Sequence, residues 1–179
     1  MKTYDMTIAG LKRKLPICTV NDKLDIAAFV IFGDAELTVA CATALIEKSP
    51  EFDYILTPEA KSIPLAHDMS RQSGKPYFVC RKGPKLYMKD PVHVDVRSIT
   101  TDKIQTLYLD GTEGEKMRGK KVLILDDVIS TGESLIAVNA LAAQFDAQIV
   151  GQAAILAEGD ASKREDIIFL EPLPLFFKD

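Results

Sequence analysis

The sequence contains no tryptophan, two histidines and only three cysteines in 179 residues. Cys18, Cys41 and Cys80 lie far apart, with no CxxC spacing and no Cys/His cluster. That leaves no zinc-ligand pattern, and buried reduced thiols are the expectation. Glycine and proline are sparse, at 10 and 9, while 47% of residues are apolar, which excludes a disordered or collagen-like chain. A basic surplus is missing too: 22 Lys and Arg face 26 Asp and Glu, a net charge of −4. A nucleic-acid partner is therefore not expected. The longest unbroken apolar run, Ile26 to Phe32, is far short of the roughly 20 residues that span a bilayer. Residues Met1 to Gly10 alternate polar and apolar and hold no signal-peptide core. No membrane role and a cytoplasmic location are expected. With no repeat and no Gly/Ser linker, residues 1–179 read as a single domain.

What is present is a rhythm of apolar strands and amphipathic helices. The opening stretch reads as irregular, with a basic cluster at Lys12, Arg13 and Lys14, and Ile26 to Phe32 reads as a strand. Glu36 to Lys48 carries Leu37, Cys41, Ala44 and Leu45 at helical spacing and stops before Pro50. Tyr54 to Thr57 reads as a buried strand, Ile63 to Gln72 as a helix closed by Gly74, and Tyr77 to Cys80 as another strand. Val92, Val94 and Val96 alternate with polar residues, and with Lys103 to Asp110 they suggest a β-hairpin. Gly111 to Gly119 looks turn-rich, and His67 and His93 look like surface residues. Lys121 to Leu125 is the most apolar strand, followed by a helix through Phe145 and a strand over Ile149 to Leu156. The apolar Pro172 to Phe177 has no clear period and is expected to pack on the body or on a second subunit. The alternation implies an α/β fold, a mostly parallel sheet with helices on both faces and one inserted hairpin.

Ligands of open α/β sheets bind at the carboxyl ends of strands. The strongest strand leads into Val122-Leu123-Ile124-Leu125-Asp126-Asp127-Val128-Ile129-Ser130-Thr131-Gly132-Glu133-Ser134. Its two carboxylates precede a hydroxyl-rich turn that opens a helix, whose free N–H groups suit a phosphate. Ser130, Thr131 and Ser134 add hydroxyl donors, and Gly132 permits close backbone approach. Carboxylates accept hydrogen bonds, so Asp126 and Asp127 suit sugar hydroxyls or a magnesium-bearing ligand rather than the phosphate itself. Together these residues describe a site for a phosphorylated sugar. Simple capping of the helix by Ser-Thr-Gly is the plainer alternative.

This thirteen-residue string resembles the phosphoribosyl-pyrophosphate (PRPP) signature of type I phosphoribosyltransferases. The resemblance runs from about Leu11 to Glu158 and is closest to adenine and xanthine phosphoribosyltransferases. The PRPP-sensing domain of bacterial purine repressors is also similar, around Arg81-Lys82 and Lys103-Ile104-Gln105-Thr106. The resemblance implies the type I fold, with a β-hairpin flexible loop over about 83–106 and a small hood from about 11–31 and 157–179. It places Asp126 and Asp127 on the ribose hydroxyls, touching Mg²⁺ only through PRPP. Ser130, Thr131, Gly132, Glu133 and Ser134 would hold the 5′-phosphate. Glu59, Ala60, Lys61 and Ser62, with Arg81 and Lys82, would meet the pyrophosphate, and Lys82 would join the aspartates in catalysis. Leu24, Ile31 and Glu158 would line the base. The co-substrates would be PRPP with Mg²⁺ and a purine, the activity purine salvage, and the working unit a homodimer.

Several positions depart from the family pattern. Glu133 puts an acid in the phosphate loop, where its N–H can still donate while its carboxylate faces solvent. Ser62 stands where a glycine is common, Lys61 where adenine enzymes often carry arginine, and Ser130 where hypoxanthine-guanine enzymes carry a catalytic aspartate. Ile31 and Glu158 replace an asparagine and a lysine of the xanthine enzymes. A carboxylate at Glu158 prefers a donor-bearing purine edge, which favours adenine, with guanine also suited, over xanthine. A PRPP-sensing regulator with little or no catalysis, and a pyrimidine enzyme such as one for orotate, are the alternatives. The latter lacks a basic residue at position 31 or 158 to meet the orotate carboxylate.

Overall fold

The computed structural model describes residues 2–97 and 104–178. In chain order its strands are β1 (Thr3–Ile8), β2 (Leu11–Asn21), β3 (Leu24–Ala27), β4 (Tyr54–Pro58), β5 (Tyr77–Cys80), β6 (Val92–Arg97), β7 (Ile104–Leu109), β8 (Lys121–Ile129), β9 (Gln148–Glu158), β10 (Ile168–Leu173) and β11 (Leu175–Phe177). The α-helices are α1 (Ala35–Lys48), α2 (Ile63–Ser73), α3 (Gly111–Lys116) and α4 (Glu133–Ala143). Strands β10-β9-β8-β4-β5 form one sheet, parallel throughout. Such a sheet needs both faces covered, and the strand pleat sorts the side chains accordingly. Leu123 and Leu125 face α1 and α2 with Ile55, Leu37, Leu45, Leu65 and Met69. Val122 and Ile124 face the other way, onto Leu135, Val138 and Leu141 of α4 and Leu107 and Leu109 of β7.

A second sheet, of order β1-β2-β3-β11 and antiparallel, closes over the first with the chain's last strand against β3. The opening stretch is therefore not irregular. Tyr4, Met6 and Ile8 alternate with polar residues along β1, and Ala9 and Gly10, both at positive φ, make the two-residue turn into β2. Nor is Ile26 to Phe32 one strand. Pairing ends at Ala27, after which Phe29 and Ile31 plug the core while Val30 and Phe32 stay exposed. Gly111–Lys116 is a short helix rather than a turn, capped by Asp110, whose carboxylate accepts from Thr112 N at 2.7 Å. β6 (Val92–Arg97) and β7 (Ile104–Leu109) pair antiparallel, as expected of the hairpin, while residues 98–103, Lys103 among them, lie outside the described residues. Cys41 and Cys80 are buried, whereas Cys18 is exposed on β2. The Pro172–Phe177 segment supplies the end of β10 and all of β11. His67 and His93 are exposed, as anticipated.

One residue ties the antiparallel sheet to α1. Asp34 caps α1 by accepting from Leu37 N at 3.1 Å, and takes Arg13 Nε at 2.6 Å and Nη2 at 3.0 Å from β2. The Arg13 guanidinium holds the Asp34 carboxyl below its ordinary range, against the opposing effect of partial burial. Replacing Asp34 by alanine removes cap and partner together. Asp34→Ala should lower unfolding free energy by about 1–2 kcal/mol, read as a lower urea midpoint with an unchanged slope.

Candidate active site at the strand ends

The carboxyl ends of β4, β5, β8 and β9 converge on one side of the parallel sheet. β8 stays paired with β9 as far as Ile129, so Asp126 and Asp127 lie within the strand and do not leave it as the sequence suggested. The ladder holds their backbone rigid, and both side chains are buried. Asp126 Oδ1 accepts from Asp127 N at 2.9 Å. Asp127 Oδ2 lies 2.7 Å from Lys61 Nζ, an ion pair whose approach falls outside hydrogen-bond angles. Burial first, and then the adjacent Asp127 charge, push the Asp126 carboxyl well above the usual carboxylate range.

Beyond β8 the chain turns through Ser130, Thr131 and Gly132 into α4. Gly132 caps the helix with φ of 82°, a left-handed conformation that glycine adopts without strain. Residues 128–135 with Asp126 line a cradle of about 100 Å³, on the scale of a single phosphate. Ser130, Thr131, Gly132, Glu133 and Ser134 all lie on its wall. The helix dipole and the free amides of the first turn make it favourable for an anion.

The segment after β4 is built from the inside. Thr57 Oγ1 lies 2.7 Å from both the Leu125 carbonyl and Ser62 Oγ, and Ser62 donates to the Pro58 carbonyl at 2.8 Å. Ser62 is buried, so its hydroxyl braces the turn and does not face a ligand. Ala60 and Lys61 are exposed at the tip. Glu59 plays a different part from the one its position suggested. Its amide donates to the Cys80 carbonyl at 2.9 Å, and its carboxylate accepts from Arg81 Nε and, at 3.1 Å, from Lys82 N. Despite partial burial, the Lys82 amide and Arg81 keep that carboxyl below its ordinary range. An anionic group so engaged orients the basic pair and is unsuited to touching pyrophosphate. Tyr87 adds a second hold on Arg81, accepting from Nη1 at 2.8 Å, while Lys82 is exposed.

The three residues assigned to the base do not come together. Glu158, half-buried at the end of β9, lines a cavity of about 440 Å³ with Ser130, Thr131, Asp160, Ala161, Arg164 and Leu175. Leu24 is half-buried on β3, opposite Phe177. Ile31 is fully buried, and it borders a different groove between α1 and α2 with Val39, Pro64 and His67. An isoleucine leaving the edge of β3 gains more by entering the core than by meeting a polar ring. Arg164 is the residue that the sequence did not single out. It follows a short 3-10 turn, Gly159–Lys163, and no motif marks it. A hollow of about 340 Å³ formed by Asp5 to Thr7 and Lys12 to Lys14 comes from the β1–β2 hairpin alone and shares no residue with this site.

The model of the phosphoribosyl transferase domain matches residues 36–173. The chain belongs to this family. Among curated relatives it is 35% identical over 125 residues to the hypoxanthine/guanine phosphoribosyltransferase of Methanococcus voltae, covering 69% of this chain and 63% of that protein. It is 38% identical over 109 residues to the Methanocaldococcus vulcanius protein of the same name, covering 61% and 56%. The matched part thus spans about three-fifths of each relative's length. In fold it matches adenine phosphoribosyltransferase from Thermoanaerobacter pseudethanolicus at a TM-score of 0.67, with 17% identity and 95% of both chains covered. The Giardia lamblia enzyme, solved with 9-deazaadenine, matches at 0.65, with 14% identity over 95% and 93%. The expected type I fold, a parallel sheet flanked by helices, is thus the one observed.

Burial of the paired carboxylates has a measurable consequence. Asp126 titrates above its ordinary 3.8 in the folded chain, so the native state holds that proton more tightly than the unfolded state does. Its contribution favours folding at low pH and turns against it as pH climbs from about 4 through the raised value. Asp126→Asn removes this dependence. At pH 8 the variant should be more stable than the parent by on the order of 1–3 kcal/mol, in urea unfolding, with the gap closing toward pH 4.

Proposed function

We propose that this protein transfers the 5-phosphoribosyl group of PRPP to a purine base with release of pyrophosphate, a reaction of purine salvage. The observation that carries the reading is the junction of two unlike recognition surfaces at the end of β8: a carboxylate pair suited to sugar hydroxyls and, adjoining it, a cradle of phosphate size at the start of α4. Family membership and the names of the curated relatives support the same chemistry. In this reading Asp126 and Asp127 accept from the ribose hydroxyls, and the amides and hydroxyls of Ser130 to Ser134 hold the 5′-phosphate. Lys61 leaves Asp127 and, with Lys82 and Arg81, faces the pyrophosphate as negative charge builds on it. The purine ring nitrogen forms its bond to C1′ as the bond from C1′ to the pyrophosphate oxygen breaks, the electron pair leaving with pyrophosphate and the base's ring proton passing to water.

Among the described residues no group of three or more Asp, Glu, His or Cys side chains could hold a metal ion, and the acids of the proposed sugar site are the adjacent Asp126 and Asp127. Such a donor set suits Mg²⁺ that arrives on PRPP and draws most of its ligands from the substrate. When bound, the ion neutralises charge on the departing pyrophosphate. This reading assigns to the β6–β7 hairpin and the segment bearing Tyr87, both bonded to Arg81, the exclusion of water from the reacting sugar.

Glu158, in the cavity beside Ser130 and Thr131, favours a base that presents N–H donors. Adenine is our first assignment, and guanine fits the same carboxylate. The likeness in fold to adenine enzymes supports the architecture and not the choice of base. A homodimer is proposed as the working unit, with the exposed Val30, Phe32 and Val39 offering apolar surface for it. A cytoplasmic location is proposed; separately, among the described residues no helix is long and apolar enough to cross a membrane.

The deciding assay measures pyrophosphate release with PRPP, Mg²⁺ and adenine, guanine, hypoxanthine, xanthine, uracil or orotate in turn. Turnover is expected with adenine first, and Glu158→Gln should reduce it about tenfold or more with that base. Measurable PRPP binding with no turnover on any base would replace the enzyme by a PRPP-sensing regulator.

A further inference from the structure

Arg164 lies beyond the PRPP motif, yet it reaches the motif in space. Its Nη1 is 3.1 Å from where a Cβ on Gly132 would sit, so the guanidinium rests against the left-handed glycine that opens α4. The side chain is held in place from behind: Nε donates to Asp166 Oδ1 at 2.9 Å and Nη2 to Asp166 Oδ2 at 2.7 Å. This fork-to-fork pair fixes the plane of the guanidinium and turns the remaining amino group, Nη1, toward the loop. Arg164 also borders the cavity that holds Ser130, Thr131 and Glu158, and it is half-buried there.

The phosphate that this loop is read to hold is dianionic, and a cation over the loop would complement it. Lys61, Arg81 and Lys82 are all on the β4 and β5 side, and within residues 126–135 there is no Lys or Arg. Arg164 brings positive charge to this loop from the opposite side, from the segment after β9.

We propose that Arg164 is a binding residue for the 5′-phosphate, a cationic arm over Gly132 that complements the backbone cradle, with Asp166 as its positioning residue. The proposal rests on the reading of Ser130 to Ser134 as the phosphate site. It also accounts for Gly132 in a second way, since any side chain there would push against the guanidinium.

The test is calorimetric titration of ribose 5-phosphate, and separately of PRPP with Mg²⁺, into the full-length protein and into Arg164→Gln and Arg164→Lys. Loss of a charge-assisted contact should weaken both ligands by a similar factor, roughly 10-fold or more, in Arg164→Gln. Arg164→Lys should recover part of the loss, since a lysine keeps the charge without the fork. Circular dichroism checks that each variant is folded, and a Gln variant that fails to fold passes the decision to the Lys variant, which then must weaken both ligands. Unchanged affinity for ribose 5-phosphate in the folded variants overturns the proposal. The same is true if only the KM for the purine rises, which would assign Arg164 to the base. Failure of the unaltered protein to bind either ligand would overturn the reading of the loop itself, a distinct result.

Discussion

Two carboxylates side by side at the end of a buried strand repel each other and have lost most of their water, and the surroundings of Asp126 and Asp127 are arranged about that penalty. The β8–β9 ladder holds both backbones in place as far as Ile129, so neither side chain can retreat by unpairing the strand. Lys61 comes from the neighbouring loop to stand at Asp127, and the Asp127 amide turns to Asp126. The loop that brings Lys61 is in turn anchored on β8 through Thr57 and the Leu125 carbonyl, immediately before the pair. The carboxylate pair and the Lys61 loop, the proposed sugar and pyrophosphate sites, are thus coupled through one threonine hydroxyl and one ion pair. A pair of acids kept in so costly a place is relieved by a proton on Asp126 or by a cationic or hydrogen-donating partner, which a sugar diol and a metal-bearing phosphate both provide.

Charge elsewhere in the site follows the same logic of pre-organisation. Arg81 is held by Glu59 and Tyr87, and its backbone is bridged to Tyr108 by hydrogen bonds of 2.8 and 2.7 Å. That bridge fastens the β6–β7 hairpin to the end of β5, so movement of the hairpin and placement of the basic pair are mechanically linked. On the opposite side, the sheet formed by β1, β2, β3 and β11 is tied to the body by Arg13 and Asp34 and leaves Leu175 at the edge of the cavity that contains Glu158. Each wall of the site comes from a separate element, and each has its own anchor.

The parts legible in the sequence were those whose signal is local. The helix over Ala35–Lys48 announced itself by Leu37, Cys41 and Leu45, α2 by Gly74 at its end, and β8 with the turn into α4 by the run from Val122 to Ser134. The opening hairpin was missed because Ala9-Gly10 is a weak turn signal beside Asn-Gly or Asp-Gly, although the alternation of Tyr4, Met6 and Ile8 was there to be read. Helix α3 was hidden by its two glycines, one of which lets the Phe145 ring pack where a Cβ would intrude. The roles of Glu59, Ser62 and Ile31 could not be read from position alone. Whether a side chain faces a ligand or the core depends on tertiary partners such as Cys80, Pro58 and Leu37. Arg164 was invisible for the same reason: thirty-two positions separate it from the glycine it covers.

The most direct test of the account is a structure of the protein with ribose 5-phosphate and Mg²⁺. The account predicts the phosphate within hydrogen-bond distance of the Ser130 to Ser134 amides, the 2′- and 3′-hydroxyls on Asp126 and Asp127, and Lys61 displaced from Asp127. A sugar phosphate bound elsewhere, or seated in the loop with the aspartates still paired only to Lys61, would contradict it.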